Sequence, residues 1–190
     1  PLAAPSANIS NSISSVSKED VKDEFGNKVR FVLNGGRSSI GLESTIVSLI
    51  KKPEVLRLGG VEIKKINKIL KKKMIFNSKN IKVKAPGQNK FHYSPGIPIK
   101  LNVKIPKKND AYILIEKRKT SYKNYYYLTK NKNLKEAAKN LYKVLRMIKN
   151  KNYPSISVEK IPNHGFGEAI NERLYKASKL KWPIKLKLII

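Results

Sequence analysis

A stretch rich in proline and glycine, residues 85–106, constrains this 190-residue chain more than any other feature. Because proline fixes φ and lacks a backbone donor, such a density of proline and glycine resists both a helix and a central strand. The stretch also carries the aromatic pair His92 and Tyr93, which an ordinary flexible linker would not need. We therefore expect two folded regions, residues 1–84 and 107–190, joined by a linker over 85–106.

Strand and helix signals alternate in both regions. Apolar and β-branched runs bounded by turn residues predict strands over 29–33, 44–50, 54–58, 81–84, 111–116, 125–129 and 155–158, the first of them buried. Capping residues and apolar positions at helical spacing predict helices over 18–25, 61–70, 134–150 and 167–178. Strands that alternate with helices are typical of α/β layers, so we expect an α/β fold in each half.

The net charge of +28 indicates a polyanionic partner, which would be nucleic acid, nucleotide phosphates or an anionic membrane surface. Only six of the 41 basic residues are arginine, however, and the lysines are spread over every segment. Scattered lysine is also what a lysine-rich composition places on ordinary solvated faces. The high positive charge can therefore reflect either binding to a polyanion or the lysine-rich composition of the chain, and both explanations stay open.

The chain has no cysteine, which excludes disulfides and cysteine-ligated metals and fits a reducing compartment. Its only imidazoles are His92 and His164. No apolar run approaches the roughly 18 residues of a spanning helix, and no targeting pattern is visible at the N-terminus. We expect a cytoplasmic protein.

Ser6 and Asn8 lie among small residues, and the nearby Pro1 and Pro5 disfavour a helix. In an extended segment, side chains two positions apart project to the same side. Two small hydrogen-bonding groups on one side can hold a polar ligand. The alternative is that both residues simply form a turn beside proline.

Six short motifs occur in one order along the chain. They are Pro5-Ser6-Ala7-Asn8, Gly41-Leu42-Glu43-Ser44-Thr45-Ile46, Val55-Leu56-Arg57, Gly59-Gly60, the segment from Ala85-Pro86-Gly87 to His92-Tyr93-Ser94-Pro95, and Gly165 to Leu174. Together they resemble the C-terminal part of the YrdC-type L-threonylcarbamoyladenylate synthases, in the longer form with a second domain. The resemblance implies a truncated YrdC-like twisted-sheet catalytic domain, a linker that closes over the active site, and a small Rossmann-like α/β accessory domain.

The resemblance also implies a reaction. Threonine captures bicarbonate or CO2 as a carbamate, which attacks the α-phosphate of ATP and releases pyrophosphate, with Mg²⁺ accompanying ATP. The product, threonylcarbamoyl-AMP, feeds threonylcarbamoyladenosine modification of tRNA through downstream transfer proteins. Transfer RNA or double-stranded RNA is a further candidate partner, and no membrane partner is expected.

The family's motifs, matched residue by residue, imply roles for seven side chains. Ser6 and Ser44 are expected to bind threonine, Asn8, Ser15, Arg57 and Tyr93 to bind ATP, and His92 to support the closing linker. Arg57 suits phosphate because its guanidinium is a planar cationic fork, whereas the alternative is a surface ion pair with Glu54. For His92 and Tyr93 the alternative is an apolar anchor that pins the linker between domains. No metal ligand and no catalytic acid or base is assigned.

Several other polar residues are expected to be structural. Glu43 should be ion-paired or solvated, because no partner carboxylate for acid–base catalysis is identifiable. Gly165-Phe166-Gly167 lacks Gly-Lys-Ser/Thr and should form a tight strand-to-helix turn. Asn171 and Arg173 should serve the accessory domain.

Two further expectations concern activity. In the family a Lys-x-Arg motif lies well upstream of the Ser-x-Asn motif, so this chain by itself should show little or no threonine-dependent pyrophosphate release. A second hypothesis is a basic RNA-binding module without catalysis, in which Lys71-Lys72-Lys73 contacts phosphates. A third makes residues 107–190 a purely interaction-mediating domain.

Overall fold

The structure is a computed structural model that describes residues 6–50, 52–71, 73, 74, 76, 85–89 and 91–179. Its helices are α1 (Lys18–Phe25), α2 (Ile63–Leu70), α3 (Leu134–Lys149) and α4 (Phe166–Ser178). Its strands are β1 (Ile46–Ser48), β2 (Glu54–Arg57), β3 (Ile99–Lys100), β4 (Ala111–Glu116), β5 (Tyr125–Thr129) and β6 (Ile156–Val158). The predicted α/β class is confirmed.

Strands β3 to β6 form one parallel sheet in the order β3-β6-β4-β5. The first five residues of β4 are buried, as expected for a parallel strand that is covered on both faces. Helix α3 packs on β5, and α4 packs on α3 and β3. The larger apolar core lies between this sheet and these two helices.

Both helices of this half begin at local signals that the sequence shows. The Asn133 side chain caps α3 by accepting hydrogen bonds from the N–H groups of Lys135 and Glu136, both at 3.0 Å. At the first turn of α4 the chain approaches itself closely, because a Cβ on Gly167 would lie 1.9 Å from the carbonyl oxygen of Pro162. The predicted tight turn before this helix is confirmed.

The first half is smaller and less regular. Strands β1 and β2 form an antiparallel hairpin in which Val47 lies opposite Val55. A small apolar cluster contains Val55, Leu58 and Met74 from this half and Ala169 from α4. The two halves therefore share buried apolar contacts.

One predicted strand is wrong. Residues 29–33 form no strand, and Phe31 and Leu33 are 77% and 80% exposed. A strand needs a neighbour to accept its backbone hydrogen bonds, and no other described segment pairs with these residues. The apolar run alone therefore predicted a strand that has no pairing partner among the described residues. The strand predicted over 81–84 lies outside the described residues.

The other predicted elements are confirmed with small shifts at their ends. Helix α1 follows Ser17, whose side chain accepts from the N–H of Asp20, and it ends before Gly26. Strands β4 and β5 match their predicted bounds, whereas β1 is shorter than predicted. No helix in the described part of the chain is both long enough and apolar enough to span a bilayer.

Candidate active site

Arg57 ties three of the sequence motifs together. At the end of β2, its Nε donates to the Ser44 carbonyl and its Nη2 to the Ser44 hydroxyl, both at 3.0 Å. Its Nη1 donates to the Pro86 carbonyl at 3.2 Å. Arg57 is 9% exposed, so the alternative of a surface ion pair is wrong.

The Pro86–Gly87 turn packs tightly against Tyr93. Gly87 has a φ of +80°, and a Cβ there would lie 2.6 Å from the Tyr93 hydroxyl and 3.1 Å from Arg57 Cδ. Only glycine satisfies both the backbone angle and the space at this point. Tyr93 itself adopts a φ of +65°, which is uncommon for a bulky residue and typical of functional sites.

The ring of Tyr93 is an anchor between the two halves. The residue is 1% exposed, and its ring contacts His92, Tyr142 and Arg173, with centroid distances of 4.0 and 5.8 Å to the two rings and 4.9 Å to the guanidinium carbon. The ring therefore fits the alternative of an anchor that pins the linker between the two halves. The ring is occupied by protein, and only the hydroxyl lacks a hydrogen-bond partner.

The segment that contains Ser6 and Asn8 bends, and the expectation of an extended segment is wrong. The backbone N–H of Asn8 donates to the Ser6 carbonyl at 2.9 Å, which closes a turn. The Asn8 Nδ2 donates to the carbonyls of Ile9 and Ser12 at 3.0 and 3.3 Å. That nitrogen is therefore engaged by the backbone, while Oδ1 is buried without a partner.

The remaining predicted side chains lie on the same loop. Ser6 is exposed. The Ser15 hydroxyl donates to the Ala7 carbonyl and accepts from Nη2 of Arg146 at 3.3 Å. The loop meets the linker where the Ser94 N–H donates to the Asn11 carbonyl at 2.9 Å, directly after Tyr93. The structure therefore brings this loop beside the Arg57 and Tyr93 segments.

Glu43 is ion-paired, as expected. Its Oε2 accepts from Nε and Nη2 of Arg173, both at 3.0 Å, and its carboxylate also accepts from the hydroxyls of Ser14 and Tyr142. Burial alone would raise the pKa of Glu43, but Arg173 and the two hydroxyls lower it below its ordinary value. Glu43 is therefore held as a carboxylate, directly before Ser44.

Neighbouring Thr45 differs from Ser44. Its hydroxyl donates to the Val61 carbonyl at 2.6 Å and accepts from the Val61 N–H at 3.0 Å. Thr45 thus joins β1 to the start of α2, whereas the Ser44 hydroxyl faces Arg57. Of the two residues, Ser44 is exposed and Thr45 is half-buried.

Among the described residues, three buried polar atoms of the predicted site residues have no hydrogen-bond partner. They are Asn8 Oδ1, His92 Nδ1 and the Tyr93 hydroxyl. Buried polar groups in proteins are almost always satisfied, so unsatisfied groups that lie on adjoining segments indicate a place for a polar ligand. Burial raises the pKa of Tyr93, so this hydroxyl stays protonated at neutral pH and can donate.

Residues of the second half that none of the sequence motifs indicated also reach this site. Tyr142 and Arg146 lie one turn apart on α3, and both are buried. Lys176 on α4 donates to the Gly87 carbonyl. A basic or hydroxyl-bearing residue on the apolar face of a helix is a signal that could have identified the first two.

Burial lowers the pKa of His92, a shift that Lys176 and Arg173 assist and that Glu43 and Glu172 oppose. The unfolded chain therefore binds a proton near pH 6.5 that the folded chain does not, and stability falls as pH drops through that value. We expect the protein to lose more unfolding free energy between about pH 7.5 and about pH 5.5 than a His92→Gln variant, measured by urea denaturation.

The exposed residue His164 provides the control for this pH dependence. A His164→Gln variant should keep the pH dependence of the parent protein. An equal loss of stability in the parent and in His92→Gln would contradict the buried, neutral state of His92.

Comparisons with known proteins show which family this chain belongs to. A family model described as "Threonylcarbamoyl-AMP synthase, C-terminal domain" matches residues 61–179, and a second, described as "Telomere recombination", matches residues 1–59. The chain belongs to the threonylcarbamoyl-AMP synthase family. The resemblance that the six motifs indicate is thereby confirmed.

Curated family members match nearly the whole chain. The threonylcarbamoyl-AMP synthase of Pyrococcus abyssi is 30% identical over 94% of this chain and 58% of its own length. Those of Bacillus subtilis and Schizosaccharomyces pombe are each 28% identical, over 57% and 52% of their lengths. The chain thus spans somewhat more than half the length of the relatives that it matches.

Two solved family structures share the fold. Pyrococcus abyssi Sua5 complexed with L-threonine superposes with a TM-score of 0.79 at 29% identity, covering 93% of this chain and 57% of that one. A variant of the same protein, with an adjacent histidine and tyrosine replaced by alanine, gives a TM-score of 0.71 at 26% identity. It covers 94% of this chain and 55% of that one.

Proposed function

We propose that this chain supplies part of the active site of an L-threonylcarbamoyladenylate synthase, which forms threonylcarbamoyl-AMP and pyrophosphate from L-threonine, bicarbonate or CO2, and ATP. Family membership supports the reaction class. The L-threonine bound to the Pyrococcus protein supports threonine as the amino-acid substrate. The comparisons give the hypothesis of an RNA-binding module no support.

The geometry around Arg57 carries this proposal. A guanidinium has five N–H donors, and within the part of the chain that the structure describes Ser44 and Pro86 engage three of them. The two that remain are held in place by the fixed fork and are available to phosphate oxygens. A charged donor that is already oriented loses little entropy on binding and stabilises charge that develops on a transferring phosphate.

We assign the side chains to the two substrates in the same terms. Ser6 and Ser44 bind threonine, and Asn8, Ser15, Arg57 and Tyr93 bind ATP. Asn8 accepts through its unpartnered Oδ1, and Tyr93 donates through its hydroxyl. His92 supports Tyr93 from the adjacent position, since the two rings are in contact. No nucleotide stacks on the Tyr93 ring, because protein groups cover it.

In the proposed reaction the threonine amine first forms a carbamate with CO2. A carbamate oxygen then attacks the α-phosphorus of ATP, the bond from that phosphorus to the bridging oxygen breaks, and pyrophosphate leaves with the electron pair. Arg57 holds the phosphates in line, and the Ser44 hydroxyl, fixed by Arg57, orients the threonine. Both substrates are thus positioned by one hydrogen-bonded unit.

We propose that Mg²⁺ enters with the triphosphate as part of the substrate. Within the described residues, no group of three or more His, Asp or Glu side chains could hold a metal ion. Magnesium in phosphoryl-transfer sites is commonly bound through substrate phosphates and water. The residues present therefore suit a substrate-borne ion better than a resident one.

The wider organisation is also a proposal. Residues 1–84 form the C-terminal part of a YrdC-like catalytic domain, residues 85–106 a linker that closes over the site, and residues 107–190 a Rossmann-like accessory domain. Near its end the linker already joins the sheet of the second half, because Ile99 and Lys100 form β3. The product passes to proteins that modify tRNA in the cytoplasm. Support comes from the Arg57 contact with Pro86 and the packing of Tyr93, which join the linker to both halves.

A Tyr93→Phe variant tests the ATP site without disturbing the packing of the ring. Because it removes one hydrogen-bond donor, we expect ATP affinity to fall about tenfold, measured by calorimetry on the longest protein that the gene encodes. A Tyr127→Phe variant, which removes a hydroxyl that contacts Ser121 at the surface, is the matched control and should bind ATP as the parent does. Equal ATP affinity in the parent and in Tyr93→Phe would remove Tyr93 from the site.

A further inference from the structure

Arg173 on α4 is a charged residue with no exposed surface. It belongs to the second half of the chain, whereas most of the proposed substrate residues belong to the first. A buried charge is costly unless it is paired and its donors are satisfied. Besides Glu43 and the neighbouring Glu172, Arg173 donates from Nη2 to the Leu58 carbonyl at 2.7 Å. These contacts cross from the second half to the first.

The two partners in the first half are sequence neighbours of the substrate residues. Glu43 directly precedes Ser44, and Leu58 directly follows Arg57. At the candidate site, the Arg57 side chain donates a hydrogen bond to the Ser44 hydroxyl. Arg173 therefore contacts a neighbour of each residue of that pair, namely the carboxylate of Glu43 and the backbone carbonyl of Leu58.

Arg173 also contacts the linker. Its guanidinium carbon lies 4.9 Å from the centroid of the Tyr93 ring, a cation–π contact. Tyr142 on α3 makes the same two connections, since its hydroxyl donates to Glu43 at 2.9 Å and its ring stacks on Tyr93 at 5.8 Å. Two helices of the second half thus touch both Glu43 and Tyr93.

We propose that Arg173 and Tyr142 are positioning residues for the substrate site, acting on Ser44 and Arg57 through Glu43 and on the Tyr93 hydroxyl through its ring. The second half then sets the geometry of the site, whereas the sequence motifs indicated only a structural role for Arg173 within the accessory domain. Lysine cannot replace Arg173, because one ammonium group lacks the planar fork that reaches Glu43, Leu58 and the ring together. The proposal rests on the proposed function for its kinetic readout alone.

The test uses an Arg173→Lys variant of the longest protein that the gene encodes. Without ligand, amide hydrogen exchange should rise in residues 43–45, 57–59 and 91–94 and stay unchanged in β4 and β5. In the kinetic assay, kcat/KM for ATP should fall between about tenfold and a hundredfold. Should Arg173→Lys fail to fold, Tyr142→Phe, which removes only the hydroxyl on Glu43, should give the same exchange pattern.

Asp110→Asn is the control for a purely structural role. Asp110 is buried in the second half, where it accepts from Ser155, Ser157 and Lys100, and it contacts no substrate residue. Each variant is assayed at the same interval below its own melting temperature, so that differences in stability do not enter the comparison. Under these conditions Asp110→Asn should keep the parent kcat/KM, whereas Arg173→Lys should not.

The two readouts separate failure of this proposal from failure of the proposed function. Unchanged exchange in all three segments would overturn the positioning role whether or not the protein is active. A kcat/KM for Arg173→Lys equal to that of Asp110→Asn would also overturn it. If the parent releases no pyrophosphate but the exchange pattern appears, the proposed function fails and the connection from Arg173 to the site stands.

Discussion

Replacing Arg146 by methionine is expected to lower the free energy of unfolding by about 3 kcal/mol. The Arg146 guanidinium joins α3 to the first half: it pairs with Glu24 at 3.1 Å and donates to the Ile13 carbonyl at 2.6 Å. The Glu24 side chain is only 3% exposed, so it would lose its closest cationic partner while buried. Methionine keeps most of the apolar stem, which isolates the loss of the charge and its hydrogen bonds.

The Arg118→Met variant is the matched control for Arg146→Met. Arg118 pairs with Glu116 and Glu159, but its side chain is 45% exposed, so screening by water limits the loss to about 0–1 kcal/mol. Urea denaturation at neutral pH measures both variants. Equal losses for Arg146→Met and Arg118→Met would show that the buried contact between the halves contributes no more than a surface ion pair.

Replacing Arg57 by lysine is expected to lower kcat/KM for ATP between about a hundredfold and a thousandfold. Lysine keeps the charge, but one ammonium group cannot reach the Ser44 carbonyl, the Ser44 hydroxyl, the Pro86 carbonyl and a phosphate together. The variant should therefore disturb both substrates, because Ser44 loses the group that fixes it.

The control for Arg57→Lys is Arg30→Lys, at an exposed position of the first half. It makes the same chemical change away from the candidate site and should retain full activity. Threonine-dependent pyrophosphate release, followed across a range of ATP concentrations, measures both variants. A kcat/KM for Arg57→Lys within about twofold of the parent value would contradict the proposed role of the Arg57 guanidinium in binding phosphate and orienting Ser44.

Sequence patterns predicted the strands and helices that are determined by nearby residues. Strands β4 and β5 are continuous apolar runs, and α3 has both an asparagine cap and a regular apolar face, so their bounds follow from the sequence. Residues 29–33 show a similar apolar run, yet they are exposed. The difference is a pairing partner, which no window of the sequence can reveal.

The candidate site likewise has features that the sequence predicted and features that it could not predict. The motifs predicted Arg57, Ser44 and Tyr93 as substrate-binding residues, and the structure brings these three residues near one another. The sequence could not predict that Asn8 would bend back on Ser6, because a spacing of two residues suits both a turn and a strand. The link from Glu43 to Arg173 spans 130 positions, so no local pattern contains it.

Pyrophosphate release by the longest protein that the gene encodes tests the central claim most directly. With ATP and Mg²⁺ present, the account predicts release that requires both L-threonine and bicarbonate and that is lost when either is omitted. Release that is indifferent to threonine, or no release from a folded protein that contains this chain together with a Lys-x-Arg motif like that of the family, would contradict the assignment of Arg57, Ser44 and Tyr93 to a threonylcarbamoyl-AMP synthase site.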